Sequence, residues 1–244
     1  MGMNMVTIAA EAIGKWLEQN INRCVTLSGV EERPTIEFIT VAANVDSDKK
    51  PSQRTHNRGR GYEVTATATV PADILQSVLK TTPESLLEIA HAKLELGSEI
   101  AGAIGKNCHA ANIVAALYIA TGQDPAHIVE GSLTDTSVSE IRNPLRPRSG
   151  QAPHEIRIAT RLPALLGGIR GGGTTLPAQS QCLSLLLGLP GPRTQDLGPR
   201  LHACRRLAES IGGAVLAGEL SLLAALASNH LAKSHASLAR TVKT

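Results

Sequence analysis

The sequence predicts an α+β fold with a helical core, on three observations. Apolar residues recur at helical spacing in several segments along the 244 residues. Shorter β-rich segments are interspersed among those helical stretches, and one of them alternates strictly between apolar and polar residues. The core has to be aliphatic, because 42% of the chain is apolar yet it holds one Trp, two Tyr and one Phe. The same scarcity argues against a nucleic-acid binder that works by base stacking. Twenty-four Lys and Arg against 21 Asp and Glu leave a formal charge of +3, too mild to imply a polyanionic partner. Charged residues at 18% beside that apolar share argue against disorder, and the length suits one large domain or one and part of another.

Taken in order, Val6 to Ile21 places Val6, Ala9, Ile13, Trp16 and Leu17 at helical spacing, with Glu11, Lys15 and Glu18 elsewhere, and predicts an amphipathic helix. Ile36 to Val41 is short and β-rich, a strand candidate. Ala42 to Arg60 keeps no apolar period and reads as a long loop, a class of segment that usually carries function or disorder. From Tyr62, Val64, Ala66, Ala68 and Val70 alternate with Glu63, Thr65, Thr67 and Thr69, which predicts a half-buried strand. Pro71 opens a short helix through Lys80. Thr82-Pro83-Glu84 then supplies an N-cap, an N1 proline and a first-turn acid for a helix from Pro83 to Gly105. Helices follow at His109 to Ala120, ended by Gly122, at Pro177 to Leu187, and from Arg200 to about Lys233 with a break near Gly212. Arg142 to Gln151 reads as an irregular connection before a strand at Glu155 to Arg161.

Cys24, Cys108, Cys182 and Cys204 form no CxxC pair, so reduced thiols are expected rather than a zinc site or a disulfide framework. No signal peptide opens the chain, and the apolar run Ile211 to Ser228 contains Glu219, which favours a buried helix over a membrane span.

Several residues break the pattern. On the helix from Pro83, Leu86, Ala90, Gly97, Ala101 and Ile104 define an apolar stripe into which Lys93 projects, as a functional lysine or a snorkelling one. His109, Asn112, Ala116 and Ala120 share one helical face, a surface for a ligand or for another helix. Asp124 follows the Gly122 break, in a cleft or in a plain turn. Asp48-Lys49-Lys50-Pro51 sets an acid beside two ammonium groups; a lysine so placed polarises a carbonyl oxygen, while the solvated charge cluster is the plainer reading. Gly167 to Thr174 is glycine-rich yet matches neither a P-loop nor a dinucleotide fingerprint, and the single Arg58-Gly59-Arg60-Gly61 is a weak RNA-binding signal. His230 and His235 are five apart, too far round a helix to share a metal, so no metal site is expected.

Together these segments are similar to the 3-hydroxy-3-methylglutaryl-coenzyme A reductase family. Met1-Gly2-Met3-Asn4-Met5, Asp48-Lys49-Lys50-Pro51, His109 to Val114, Tyr118 to Asp124, Gly171-Gly172-Gly173-Thr174, Gly218 to Leu222 and His230 to His235 occur in the family's order over almost the whole chain. The likeness is to the eukaryotic and archaeal class, which uses NADPH to reduce the thioester to mevalonate and free coenzyme A. The resemblance implies Lys49 as the cation on the thioester carbonyl, Asp124 as the carboxylate that sets its charge state, and His235 as the acid that protonates the departing thiolate. It implies Asp48, Lys50, Lys93, His109 and Asn112 as substrate-site residues, and Met1, Gly2, Met3 and Asn4 as contacts to the nicotinamide nucleotide. In fold terms it implies a helix-rich substrate-binding domain over residues 42–244 with a long central helix and an active-site loop at 42–61. Residues 1–41 would be the last helix and strand of a small ferredoxin-like nucleotide-binding domain. It further implies HMG-CoA or coenzyme A as ligand, a homodimer or higher homo-oligomer, no nucleic acid, and no membrane contact by this chain. A cytoplasmic location is expected, or the cytosolic face of the endoplasmic reticulum if an upstream anchor exists.

The departures from the family pattern are specific. The family has Asp-Ala before the first Met and, further upstream, a catalytic glutamate; a chain without them is expected to turn over poorly alone. Ala42 stands for a substrate-contacting serine, Arg58 for a glutamate and Arg170 for an apolar residue, and one residue is lost between Gly105 and His109. These favour, as the alternative, a non-catalytic dimerisation or regulatory partner, or a diverged remnant. Thr241 occupies a place that is phosphorylated in some relatives, though a frayed basic tail is the simpler expectation.

Overall fold

A computed structural model describes residues 2–27, 35–42, 47–141, 155–188 and 200–228. The chain divides into two units, Met1–Asp48 and Lys49–Thr244. In the first, helix α1 (Gly2–Leu27) contains the whole predicted amphipathic segment. The chain returns alongside it: Asn22 donates its side-chain amide to the Ile36 carbonyl at 2.8 Å and accepts from the Ile36 N–H at 2.9 Å. Phe38 lies over Gly14, where any Cβ would collide with the ring. The predicted strand at Ile36 to Val41 does not form, since no neighbouring strand pairs with it among the described residues. The apolar stripe of α1 stays exposed, Trp16 at 60%.

In the second unit a three-stranded antiparallel sheet has the order β1-β3-β2, from β1 (Tyr62–Pro71), β2 (Asp135–Ile141) and β3 (Glu155–Leu165). The alternation that predicted β1 is the burial observed, with Glu63, Thr65, Thr67 and Thr69 exposed and Val70 buried. Strand β3 runs past the expected Arg161 to Leu165, where the β1 register shifts between Tyr62 and Val64. Pro163, which has no N–H to give the ladder, sits at that bulge. Strand β2 escaped prediction because Asp135-Thr136-Ser137-Val138-Ser139 is nearly all polar; its hydrogen bonds come from pairing Thr136 with Thr160 and Val138 with Ile158.

Helices cover the apolar face of the sheet. Short helices α2 (Gln53–Arg58) and α3 (Ala72–Ser77) flank β1; the first, capped by Ser52, lies inside the segment expected to be loop. Helix α4 (Pro83–Ala90) starts as predicted, with the Thr82 hydroxyl accepting from the Ser85 N–H at 3.2 Å and Pro83 in the first turn. It then winds into a π-helical turn, His91–Gly97, and ends as α5 (Ser98–Ile100). That wide turn overturns the predicted stripe. Pro83, Leu86, Ala90 and Leu94 are buried, whereas Lys93, Gly97 and Ala101 face solvent. After α6 (Ala110–Ala120), α7 (Ile128–Gly131) and α8 (Pro177–Leu186), α9 (Arg200–Ala227) forms the spine.

The expected break at Gly212 is absent, because the glycine serves close packing: a Cβ there would strike Val64, and one at Gly218 would strike Ile113. Ile211 and Val215 of α9 join a core cluster with Val114 and Tyr118 of α6, while Leu216 and Leu223 join a second with Leu75, Leu86, Ile156 and Ile158. By length and composition Ala203–Ala227 is apolar enough to cross a membrane. A third of its apolar window is buried, and those buried residues contribute to both core clusters. The connection at 142–151 and the end of the last helix near Lys233 lie outside the described residues.

Candidate active site

Lys49 and Asp124 meet, 75 positions apart in the chain, with Nζ at 2.9 Å from Oδ2. Each is held by its backbone. Lys49 adopts a left-handed φ of 56°. Asp124 follows Gly122, whose φ of 69° ends α6, and its Oδ1 accepts the Ala126 N–H at 3.0 Å to cap the 3-10 turn Pro125–His127. Glycine is required at position 122 twice over, since a Cβ would also run into the Gly173 carbonyl. The glycine-rich Gly171-Gly172-Gly173 is thus a backbone-on-backbone seat for the end of α6. Gln123 fastens the same loop, with its side chain bonding the Gly168 N–H at 2.7 Å and the Gly168 carbonyl at 2.9 Å. The Lys49 hydrogen bond and the Ala126 amide hold the Asp124 carboxyl below its usual range.

Beneath this pair lies a residue the sequence did not single out. Glu130 is 0% exposed. Its Oε1 accepts the Lys49 backbone N–H at 3.1 Å and Arg60 Nη1 at 2.7 Å, and its Oε2 takes His127 Nδ1 at 2.6 Å. Asp124, His127 and Glu130 follow at three-residue spacing across a turn and short helix, the one sequence signal that points to this cluster. The glycines of Arg58-Gly59-Arg60-Gly61 are structural, because Cβ atoms there would meet the Pro163 and Leu165 carbonyls of the β3 bulge. That approach leads Arg60 into the Glu130 cluster.

His109 takes the N-cap position of α6, and its Nε2 lies 2.9 Å from the Gly218 carbonyl. A second fully buried carboxylate, Glu219 of α9, accepts the N–H groups of Cys108 at 2.7 Å and His109 at 2.8 Å and the Thr136 hydroxyl at 2.8 Å. Burial first, then the Glu219 charge, pushes the Cys108 thiol up to about 12, while the Lys93 ammonium acts on it from the other direction. Lys93 is therefore exposed on the π-helical turn yet close to the His109 segment, and not stranded among apolar groups. Asn112 is exposed on α6, Asp48 is half-buried, and Lys50 is exposed beside Lys49. Gly2, Met3 and Asn4 form the first turn of α1. Met1 and His235 lie outside the described residues.

An α+β unit with a lysine–carboxylate pair seated over a buried carboxylate is the class these features define. The sequence profile of the family described as hydroxymethylglutaryl-coenzyme A reductase matches residues 1–240. The chain belongs to that family. It is 43% identical over 240 residues to the 3-hydroxy-3-methylglutaryl-coenzyme A reductase of Methanothermobacter thermautotrophicus, covering 98% of this chain and 52% of the relative. It is 42% identical over 244 residues to reductase 1 of Oryza sativa subsp. japonica, covering all of this chain and 41% of the relative. To reductase 2 of Saccharomyces cerevisiae it is 40% identical over 236 residues, covering 96% of this chain and 20% of the relative. The chain thus spans about half the length, or less, of the curated relatives it matches.

Proposed function

We propose that this chain carries the carboxy-terminal part of the catalytic region of a reductase that converts 3-hydroxy-3-methylglutaryl-coenzyme A to mevalonate and coenzyme A with two NADPH. The observation that carries the reading is the Lys49–Asp124 ion pair at 2.9 Å, in a chain of this family. Reduction of a thioester places negative charge on the carbonyl oxygen. An ammonium aimed at that oxygen stabilises the charge, and preorganised donors of this kind are worth about 100- to 1,000-fold in rate. Asp124 keeps Lys49 charged and directed. His235 would protonate the leaving thiolate, and Asp48, Lys50, Lys93, His109 and Asn112 would bind the acyl and coenzyme A portions.

NADPH supplies the hydride when bound. Met1 to Asn4, at the start of α1, would hold it. Residues 1–41 would be part of a small ferredoxin-like nucleotide domain, residues 42–244 the substrate domain with its active-site loop at 42–61, and a homodimer the assembly. The location would be cytoplasmic, or the cytosolic face of the endoplasmic reticulum.

The test is NADPH oxidation dependent on the thioester, measured on the gene product as encoded and on Lys49→Ala. A fall in kcat of at least about 100-fold is expected; an unchanged kcat refutes the assignment. Ligand binding is read separately, as a rise in melting temperature of the 244-residue chain with coenzyme A. The exposed Arg58 and Arg170 favour a second reading, a non-catalytic partner of a complete reductase, which co-purification with a full-length homologue would reveal.

A further inference from the structure

Lys49 stands in a left-handed turn that its side chain does not favour, and its partner Asp124 keeps almost half of its own side chain in solvent. An exposed ion pair by itself fixes geometry weakly, because both side chains lose rotamer freedom for little net gain. Something else must hold the lysine, and Glu130 does so from below. Its two oxygens collect a main-chain N–H from Lys49, a guanidinium from Arg60 and an imidazole N–H from His127, at 3.1, 2.7 and 2.6 Å. These donors come from three separate segments of the chain. The His127 ring, 5% exposed and fixed at Nδ1, presents Nε2 towards Asp124 Oδ2 at 3.8 Å. One buried carboxylate therefore holds the Lys49 backbone directly, and the histidine bonded to it lies beside Asp124, beyond hydrogen-bond distance.

We propose that Glu130 is a positioning residue for the reaction: its carboxylate clamps the Lys49 turn, so that the ammonium is already aimed before substrate arrives. The role rests on Lys49 and Asp124 being the catalytic pair. It assigns to Glu130 and His127 no contact with the substrate. A clamp of this kind acts on the orientation of the charge and not on substrate affinity, so its loss falls on kcat more than on KM.

The experiment compares wild type with Glu130→Gln, which keeps the shape and one acceptor oxygen, and with His127→Gln. Amide hydrogen exchange is followed by NMR at Lys49 and, as a control for the fold, at Ile158 in β3. Weakening a hydrogen bond to a charged acceptor corresponds to about tenfold in the opening equilibrium. Glu130→Gln is expected to raise exchange at Lys49 by that factor while Ile158 is unchanged, and to lower kcat of the encoded gene product with KM nearly constant. His127→Gln removes a different donor from Glu130 and is expected to leave Lys49 exchange closer to wild type. Unchanged exchange at Lys49 in a folded Glu130→Gln protein overturns the proposal. So do equal rises at Lys49 and Ile158, or a KM effect without a kcat effect. If Lys49→Ala leaves turnover intact, the catalytic reading fails instead, and the exchange data still decide whether Glu130 clamps the turn.

Discussion

Individual residues here differ most in how they meet water. Cys182 is exposed, whereas burial and the Glu219 charge push the Cys108 thiol up to about 12. Iodoacetamide at pH 8 should therefore modify Cys182 and leave Cys108 intact, because only the thiolate reacts; mass spectrometry of tryptic peptides reads the difference, and rapid modification of Cys108 in the folded chain would contradict it. Asp124 gives a pH prediction. Its carboxyl is held below the usual aspartate range, so its contribution to stability is present above that range and disappears as pH falls through the depressed value. With 46% of the side chain exposed, the contribution is small, under about 1 kcal/mol. Asp124→Asn should leave the melting temperature nearly unchanged at neutral pH while abolishing most turnover. Lys49 and Asp124 were legible as residues from the sequence; that they form a pair was implied only by the family likeness. Glu130 was hidden because a lone glutamate on a short helix looks like surface until the fold buries it.

At the scale of elements, caps and glycine turns were the easiest features to read, since their chemistry is local. Thr82, Pro83 and Gly122 act as their residue types predict. Replacing Thr82 by Ala should lower stability by about 1 kcal/mol, measured by urea unfolding. Gly122→Ala should cost more, about 2 kcal/mol or above, because it adds left-handed strain to a collision with the Gly173 carbonyl. The elements that escaped prediction depend on distant partners. Strand β2 exists through its ladder with β3, Ile36 to Val41 lacks such a ladder among the described residues, and Gly212 is absorbed in α9 because Val64 needs the space.

For the molecule as a whole, the α+β class followed from helical periodicity with interspersed β-rich segments and the aliphatic core from composition, and the core is built around α9. The single Trp16 lies 60% exposed on α1 among other exposed apolar side chains. Its fluorescence should be readily quenched by acrylamide in the isolated chain and protected when anything covers that face; protection in the monomer would contradict the exposure. The π-helical turn at His91–Gly97 has a reach beyond its own contacts. It winds one extra residue into the helix, and one residue is worth about 100° of rotation, so the faces before and after it are out of phase. A regular helical wheel drawn through this segment therefore sets Lys93 among the apolar positions, although the side chain is exposed.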